Sequence, residues 1–352
     1  MSAVLAATSA PPGVAPPHSE STWLGAWRRF RSNRVGLWSL VVVGGFALLM
    51  LLSAFGWVAS DWGAERAVAN APPTFLGPAP PPTASVAIAP SGPPLDLSAV
   101  DPLAPRYREW AERAAQLATT EPTKLQTLPF GADRLGRDVL AKAVKGSQIS
   151  VFVGVLAALV ATLIGTVLGA LAGFFGGKVG DLLEWLYNVF TAIPGILLIF
   201  AFAAVAGRGV QSVVLILGLA GWTGIYRLVR AEYMKHRSRE YVRAAEAIGA
   251  SHLARMFGHI LPNVSHVVLV QLSIHVVGFI KSEVILSYLG LGVGVDQVSW
   301  GTMLSEAQSE LILGHWWQLA AATILMAVFV TAFSLMTDAL RDALDPKLRG
   351  LE

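Results

Sequence analysis

The chain has 352 residues, 54% of them hydrophobic and 14% charged, with a mean hydropathy of +0.57. A soluble domain carries roughly 25% charged residues, so this composition describes a membrane protein. The chain has no cysteine, which excludes disulfides, thiolate nucleophiles and Cys-ligated metals; its seven histidines show no metal-ligand spacing, and its net charge of +3 includes no Lys/Arg run interleaved with aromatics for binding nucleic acid.

Met1–Ser21 is rich in Ala and Pro and lacks the short apolar core and cleavage site of a signal peptide. Residues 1–34 are therefore expected to form a cytoplasmic N-terminal tail, disordered over its first part. Six apolar stretches, uncharged apart from Lys281 and Glu283 in the fifth, are long enough to cross a membrane, which takes about 20 helical residues. They lie at 35–58, 149–173, 185–207, 209–226, 264–286 and 316–337. Arg28, Arg29, Arg31 and Arg34 precede the first, which places the N-terminus inside. The connection after the fourth carries Arg227, Arg230, Lys235, Arg237, Arg239, Arg243 and Arg255, also a cytoplasmic signature. Ser282 to Leu340 holds no Lys or Arg, so the loop between spans five and six is outside. The sequence thus predicts an all-α integral membrane protein with six transmembrane helices and both termini in the cytoplasm.

Residues 59–128 form an extracytoplasmic insert after the first helix (35–58). Thirteen of the twenty prolines lie between Ala59 and Pro129, including Pro80-Pro81-Pro82, so most of the insert is expected to be extended or irregular, a tolerated spacer. Pro105–Thr119 has the composition of a short surface helix. In the following segment Asp133 and Asp138 are expected on a surface turn, salt-bridged to Arg134 or Arg137. Gly165, Gly169 and Gly173 recur every four residues in the second span, the spacing that lets membrane helices approach closely, and are read as helix packing. Pro194 is expected to kink the third span. The fifth contains His266 and His275 and ends with Lys281 and Glu283. Both charged residues are placed near the outer surface, where snorkelling accommodates them; a translocation path or outer gate is the alternative.

Between spans four and five the sequence turns polar. Glu232–Ile248 reads as a helix, Gly249 suits the left-handed residue that follows one, and Ser251 suits the cap of a second short helix. Ala250, Leu253, Ala254 and Phe257 share one face of that helix, Pro262 is expected to end it, and Asn263 to begin the next span. Residues 231–263 therefore form a compact amphipathic element at the cytoplasmic surface, suited either to docking a protein or to lying on lipid headgroups. No Gly-x-x-x-x-Gly-Lys-Ser/Thr phosphate cradle is present, and no nucleophile stands with a base.

Arg243-Ala244-Ala245, Gly249 and Leu261-Pro262 resemble the "EAA" loop of ABC-importer permeases, with Arg243 in place of the usual Glu and His259 in place of an Ile. Tyr241–Ala245 and His259–Asn263 are similar to the peptide-transport branch, as are Gly131–Leu140 (Ala132 replacing Thr), Gly173–Asp181, Glu283–Gly292, Ser299-Trp300-Gly301 and Asp342–Arg349. The resemblance covers 129–350 and, more faintly, 24–58. It implies the type I ABC-importer permease fold. The core then runs over 129–340 with five spans and the coupling loop at 231–263, followed by a cytoplasmic tail, 341–352. It also implies a role as an inner-membrane permease subunit of a dipeptide/oligopeptide-type importer. The implied partners are a second homologous permease, two cytoplasmic ABC ATPase subunits and an extracytoplasmic binding protein, besides membrane lipid. ATP and Mg would lie on the ATPases, and this chain would bind no cofactor or metal and catalyse nothing. Arg243, Ala244, Ala245, Glu246, Gly249, Ala250, Ser251, Leu253, Phe257 and Pro262 would carry the ATPase coupling. Nickel or another small solute is the alternative cargo, and a secondary transporter the alternative class.

Overall fold

The computed structural model describes residues 22–78, 101–103, 106–116, 124–294 and 296–344. The expected disordered tail over Met1–Ser21, the triple-proline run and residues 345–352 of the C-terminal tail lie outside the described residues. The architecture is all-helical, and the described residues include isolated β-bridges but no strand. Four unbroken helices are long and apolar enough to cross a membrane: α2 (Arg34–Ala54), α4 (Val139–Phe175), Ala254–Tyr288, whose latter part is α10 (Leu261–Tyr288), and α12 (Trp317–Leu344). Two bent pairs bring the number to six: α5 (Gly177–Thr191) with α6 (Gly195–Ala206), and α7 (Val210–Ala220) with α8 (Thr223–Arg237).

The long helix α4 is the axle of the bundle. Asp138 starts it by accepting from the amides of Leu140 and Ala141 at 2.8 and 3.3 Å, satisfying donors that a first turn leaves free. The glycine stripe explains its closest neighbour. A Cβ on Gly165, Gly169 or Gly173 would stand 2.6, 2.7 and 2.5 Å from the carbonyl oxygens of Trp222, Tyr226 and Arg230. The stripe is thus an internal seam between α4 and α8, close enough that only glycine fits. Because both partners advance by four residues together, α4 and α8 run parallel. Parallel neighbours require the chain between them to return across the bundle, which the α5–α6 pair does. At the other end Gly209 donates to the Gly292 carbonyl at 3.0 Å, beside the end of α10.

The outermost pair closes the same way. α2 packs along α12, with Phe46 edge-on to Phe329 at 5.2 Å between ring centroids. Arg29 of α1 (Thr22–Ser32) donates to the Ala343 carbonyl at the far end of α12. The first described helix and the end of the last therefore lie on one side of the bundle.

Several expectations change. The third span is not kinked but broken: at Pro194, which has no N–H to continue a helix, the axis turns by 85°. The fourth is longer than 209–226. It bends by 41° near Gly221 and continues to Arg237, so Arg227, Arg230 and Lys235 lie on a helix and not in a loop. The expected Glu232–Ile248 helix is interrupted at Ser238-Arg239, where α9 (Glu240–Ala247) begins. Two helices went unpredicted: α1 and, on the outer side, α11 (Trp300–Ile312), which Ser299 starts through a reciprocal cap with Thr302. In the insert, α3 (Tyr107–Gln116) is exposed along its described side chains, whereas 59–78 is stitched to the following segment by bridges Glu65–Arg137, Ala67–Leu125 and Pro73–Leu128.

Candidate coupling surface

The polar loop is built on the end of the seam. Tyr233 of α8 is fully buried and its hydroxyl donates to the Met256 carbonyl at 3.1 Å. Val242, Met256, Ile260 and Val264 join Phe174 of α4 in a small core beneath the loop. Gly249 has φ +87, the left-handed geometry in which glycine carries no Cβ penalty, so it ends α9 as its position predicted. Ser251 accepts from the Ala254 amide at 3.2 Å, the expected cap. Beyond it the expectation fails. Pro262 does not stop a helix: Ala254–Ile260 is a π-helical turn that runs straight into α10, with Pro262 in its first turn, where a missing N–H is tolerated. The supposed separate helix and the fifth span are one helix, Ala254–Tyr288.

The structure sorts the expected coupling residues into two sets. Arg243, Ala244, Glu246, Gly249, Ser251, Leu253, Phe257 and Pro262 are exposed, and Ala250 is half-buried. Ala245 is buried against the core, so it holds the loop in place and presents nothing outward. Leu253 and Phe257 are 65% and 40% exposed, one turn apart on the same strip. Ile248, which the sequence reading passed over, is 85% exposed beside them. Its signal was its place before Gly249, where a helix ends and its last apolar side chain is left uncovered. Arg255 was counted only as a loop charge. It is nearly buried, pairs with Glu246 at 2.7 Å and lies over the Phe174 ring at 5.5 Å, fastening the far side of Gly249 to both α9 and α4. The result is a loop footed on α4, α8 and α9, with Ile248, Leu253 and Phe257 among its exposed apolar side chains and Arg239, Arg243 and Glu246 among its exposed charged ones.

At the outer end the charged residues are arranged differently from the expectation. Lys281 is exposed, but Glu283 is completely buried and does not snorkel. Ser287 donates to its Oε1 at 2.6 Å, and the hydroxyls of Ser150 and Ser299 approach the same carboxyl. The cover comes from α11: Gly301 sits so close that a Cβ would be 2.5 Å from the Val284 carbonyl. A cavity of about 940 Å³ opens between α4 and α7, with Gln148, Phe152, Arg208 and Gln211 in its walls, and neither Lys281 nor Glu283 lines it.

Asp133 is also buried, not on a surface turn. It accepts from Arg137 Nε at 2.6 Å, Lys142 Nζ at 2.8 Å and the amides of Leu135 and Arg137. Arg134 does not pair with it and instead donates its amide to Glu310. Burial pushes the Asp133 carboxyl up, but Lys142, together with the Arg137 amide and guanidinium, outweighs it and holds the group below the usual range. Lys142 also bonds Glu306 of α11, which accepts from Gln318 of α12 at 3.2 Å. This network locks the outer loop, α4, α11 and α12 together.

The sequence matches the model of the family described as "Binding-protein-dependent transport system inner membrane component" over residues 165–350. Residues 21–73 match the "N-terminal TM domain of oligopeptide transport permease C". The glutathione transport system permease protein of Salmonella typhimurium is 32% identical over 342 residues, covering 96% of this chain and 95% of its own. The dipeptide transport system permease protein of Bacillus subtilis is 36% identical over 220 residues, covering 62% of this chain and 69% of its own. Among solved structures, a methionine ABC transporter in inward-facing form is similar over 58% of this chain and 96% of its own, with 16% identity and a TM-score of 0.49.

Proposed function

This chain belongs to the family of binding-protein-dependent transport system inner-membrane components, and on that premise we propose that it forms one half of the membrane pathway of a peptide-type ABC importer. The relatives carry dipeptide, oligopeptide and glutathione permeases in their names, which supports short peptides as cargo. The pathway is completed by a second, homologous permease, and an extracytoplasmic binding protein delivers the solute. Two cytoplasmic ATPase subunits hold ATP and Mg and perform the hydrolysis; this chain supplies no phosphate cradle of its own.

The observation that carries the mechanism is the continuity of the helix Ala254–Tyr288. Thirty-five residues at 1.5 Å per residue reach roughly 50 Å, from Ala254 past the buried Glu283 to Tyr288. An ATPase seated on Ile248, Leu253 and Phe257 therefore pushes on the end of a rod that crosses the whole membrane. Arg255–Glu246 and Tyr233–Met256 fix that end to α9 and α8, and the glycine seam fixes α8 to α4. Closure of the ATPase pair moves these elements as one body, reorienting the pathway between inward- and outward-facing. Exposed apolar side chains among charged ones suit a protein partner.

Purification of the tagged protein from native membranes in mild detergent tests this reading. The expected result is co-purification of a homologous permease and ATPases with phosphate-cradle motifs, with the binding protein identifying the cargo. Recovery of a folded chain alone would remove the energy source and favour a secondary transporter.

A further inference from the structure

Between α2 and α12, at the end where Arg29 ties α1 to Ala343, a groove of about 610 Å³ opens on the outside of the bundle. Val35, Trp38, Val42, Val328 and Leu335 form most of its walls, and Arg34 stands at one end. The Ser39 hydroxyl in the wall already donates to the Val35 carbonyl at 2.7 Å, so it asks for no partner within the groove. The two helices touch within the length of this opening, so it is a groove over their seam. A Cβ on Gly36 would be 2.6 Å from that of Ala339 at one level, and Phe46 meets Phe329 at the other.

The dimensions and charge select the occupant. From Arg34 to Val42 the helix rises about 12 Å, against about 15 Å for one leaflet of a ~30 Å hydrocarbon core. The slot thus runs through most of one leaflet, with Arg34 where headgroup phosphates lie. Trp38, 71% exposed one turn further in, has the amphipathic ring that favours this boundary. Thr22–Ala54 contains Arg28, Arg29, Arg31 and Arg34 and neither Asp nor Glu. Among the described residues no carboxylate pairs with Arg34, which is exposed.

We propose that this groove is a binding site for an anionic phospholipid of the cytoplasmic leaflet, with one acyl chain lying between α2 and α12 and the phosphate on Arg34. The acyl chain fills the slot that α2 and α12 leave open, and the guanidinium reads the headgroup charge. The site is independent of the cargo and of the ATPase contact.

Native mass spectrometry of the full-length protein, with phosphatidylglycerol and phosphatidylcholine of matched acyl chains, tests it. The wild type should retain phosphatidylglycerol with about a fivefold preference, the size expected for one basic side chain at an anionic headgroup. Arg34→Gln should erase the preference while still binding both lipids, and Ala327→Trp, which fills the groove from an exposed wall position, should weaken both. Absence of preference in the wild type, or its survival in Arg34→Gln, would overturn the proposal. A photo-crosslinker at Val328 in native membranes should yield lipid adducts; adducts to a second permease instead would make the groove a protein interface and refute it.

Discussion

The α4–α8 seam and the coupling loop both depend on glycine, for opposite reasons. Along the seam, Gly165, Gly169 and Gly173 are needed because a Cβ would run into a neighbouring carbonyl, although all three have ordinary helical backbone. At the loop, nothing lies within 4 Å of a Cβ on Gly249, yet its φ of +87 is one that other residues adopt only at a cost. One region is closed to added volume and open in conformation; the other is the reverse. If the loop meets a partner as proposed, substitutions in the two regions should separate stability from coupling.

The largest loss of stability is expected outside both, in the outer network that anchors the seam's far end. Lys142 is 1% exposed and bonds both Asp133 and Glu306. Lys142→Met takes one of two cations from the buried Asp133 carboxylate and leaves it Arg137 alone, which costs about 3 kcal/mol, the low end for a broken buried pair, and thermal unfolding in detergent should report a correspondingly lower Tm. The pH dependence follows the same residue. The folded Asp133 value lies below the ordinary one, so its stabilisation is complete above about pH 4 and disappears as pH falls through the lower folded value; Lys142→Met should flatten that acid limb. Next comes the seam itself. Gly169→Val forces a side chain toward the Tyr226 carbonyl and should destabilise by about 1–3 kcal/mol, lowering Tm and the yield of folded protein together with uptake.

At the loop the order of effects inverts. Gly249→Val meets no atom, and its left-handed strain is about 1–2 kcal/mol, so the variant should insert and fold. Solute uptake should nevertheless collapse, because the exposed apolar side chains are re-aimed relative to α10; normal uptake by a stably inserted Gly249→Val would break the comparison. Smallest in stability is Leu253→Asp, a surface change expected to stay within about 0.5 kcal/mol while abolishing ATPase co-purification. A large drop in Tm for this variant would mean that Leu253 packs within the chain.

How much of this was legible in the sequence depended on how local the cause was. The glycine stripe and the Gly249–Ser251 break follow from residues within a turn or a span of one another, and both appear where the sequence placed them; the six apolar segments are helical, but the third is broken at Pro194 and the fourth and fifth run on into the polar connection. Pro262 was misread because the stop rule assumes that only an α-helix could continue; a π-helical turn just before it carries the chain into α10. Glu283 and Asp133 were misread for a different reason. Glu283 is covered by α11, a helix in a loop with no basic residue and no long apolar run to announce it, and Asp133 by distant partners in α4 and the insert. Ala245 belonged to the recognisable motif but faces inward, since a motif reports which residues recur and not which way they point.

Coupling as proposed requires Ile248, Leu253 and Phe257 to be the surface on which an ATPase sits. The chain has no cysteine, so Leu253→Cys introduces a single thiol whose neighbour a short bifunctional crosslinker can identify in inside-out native vesicles. The account predicts one dominant adduct with an ABC ATPase, with a yield that changes when ATP is added. A thiol that stays accessible, forms no protein adduct and is protected by lipid alone would place this loop on the membrane and contradict the coupling mechanism.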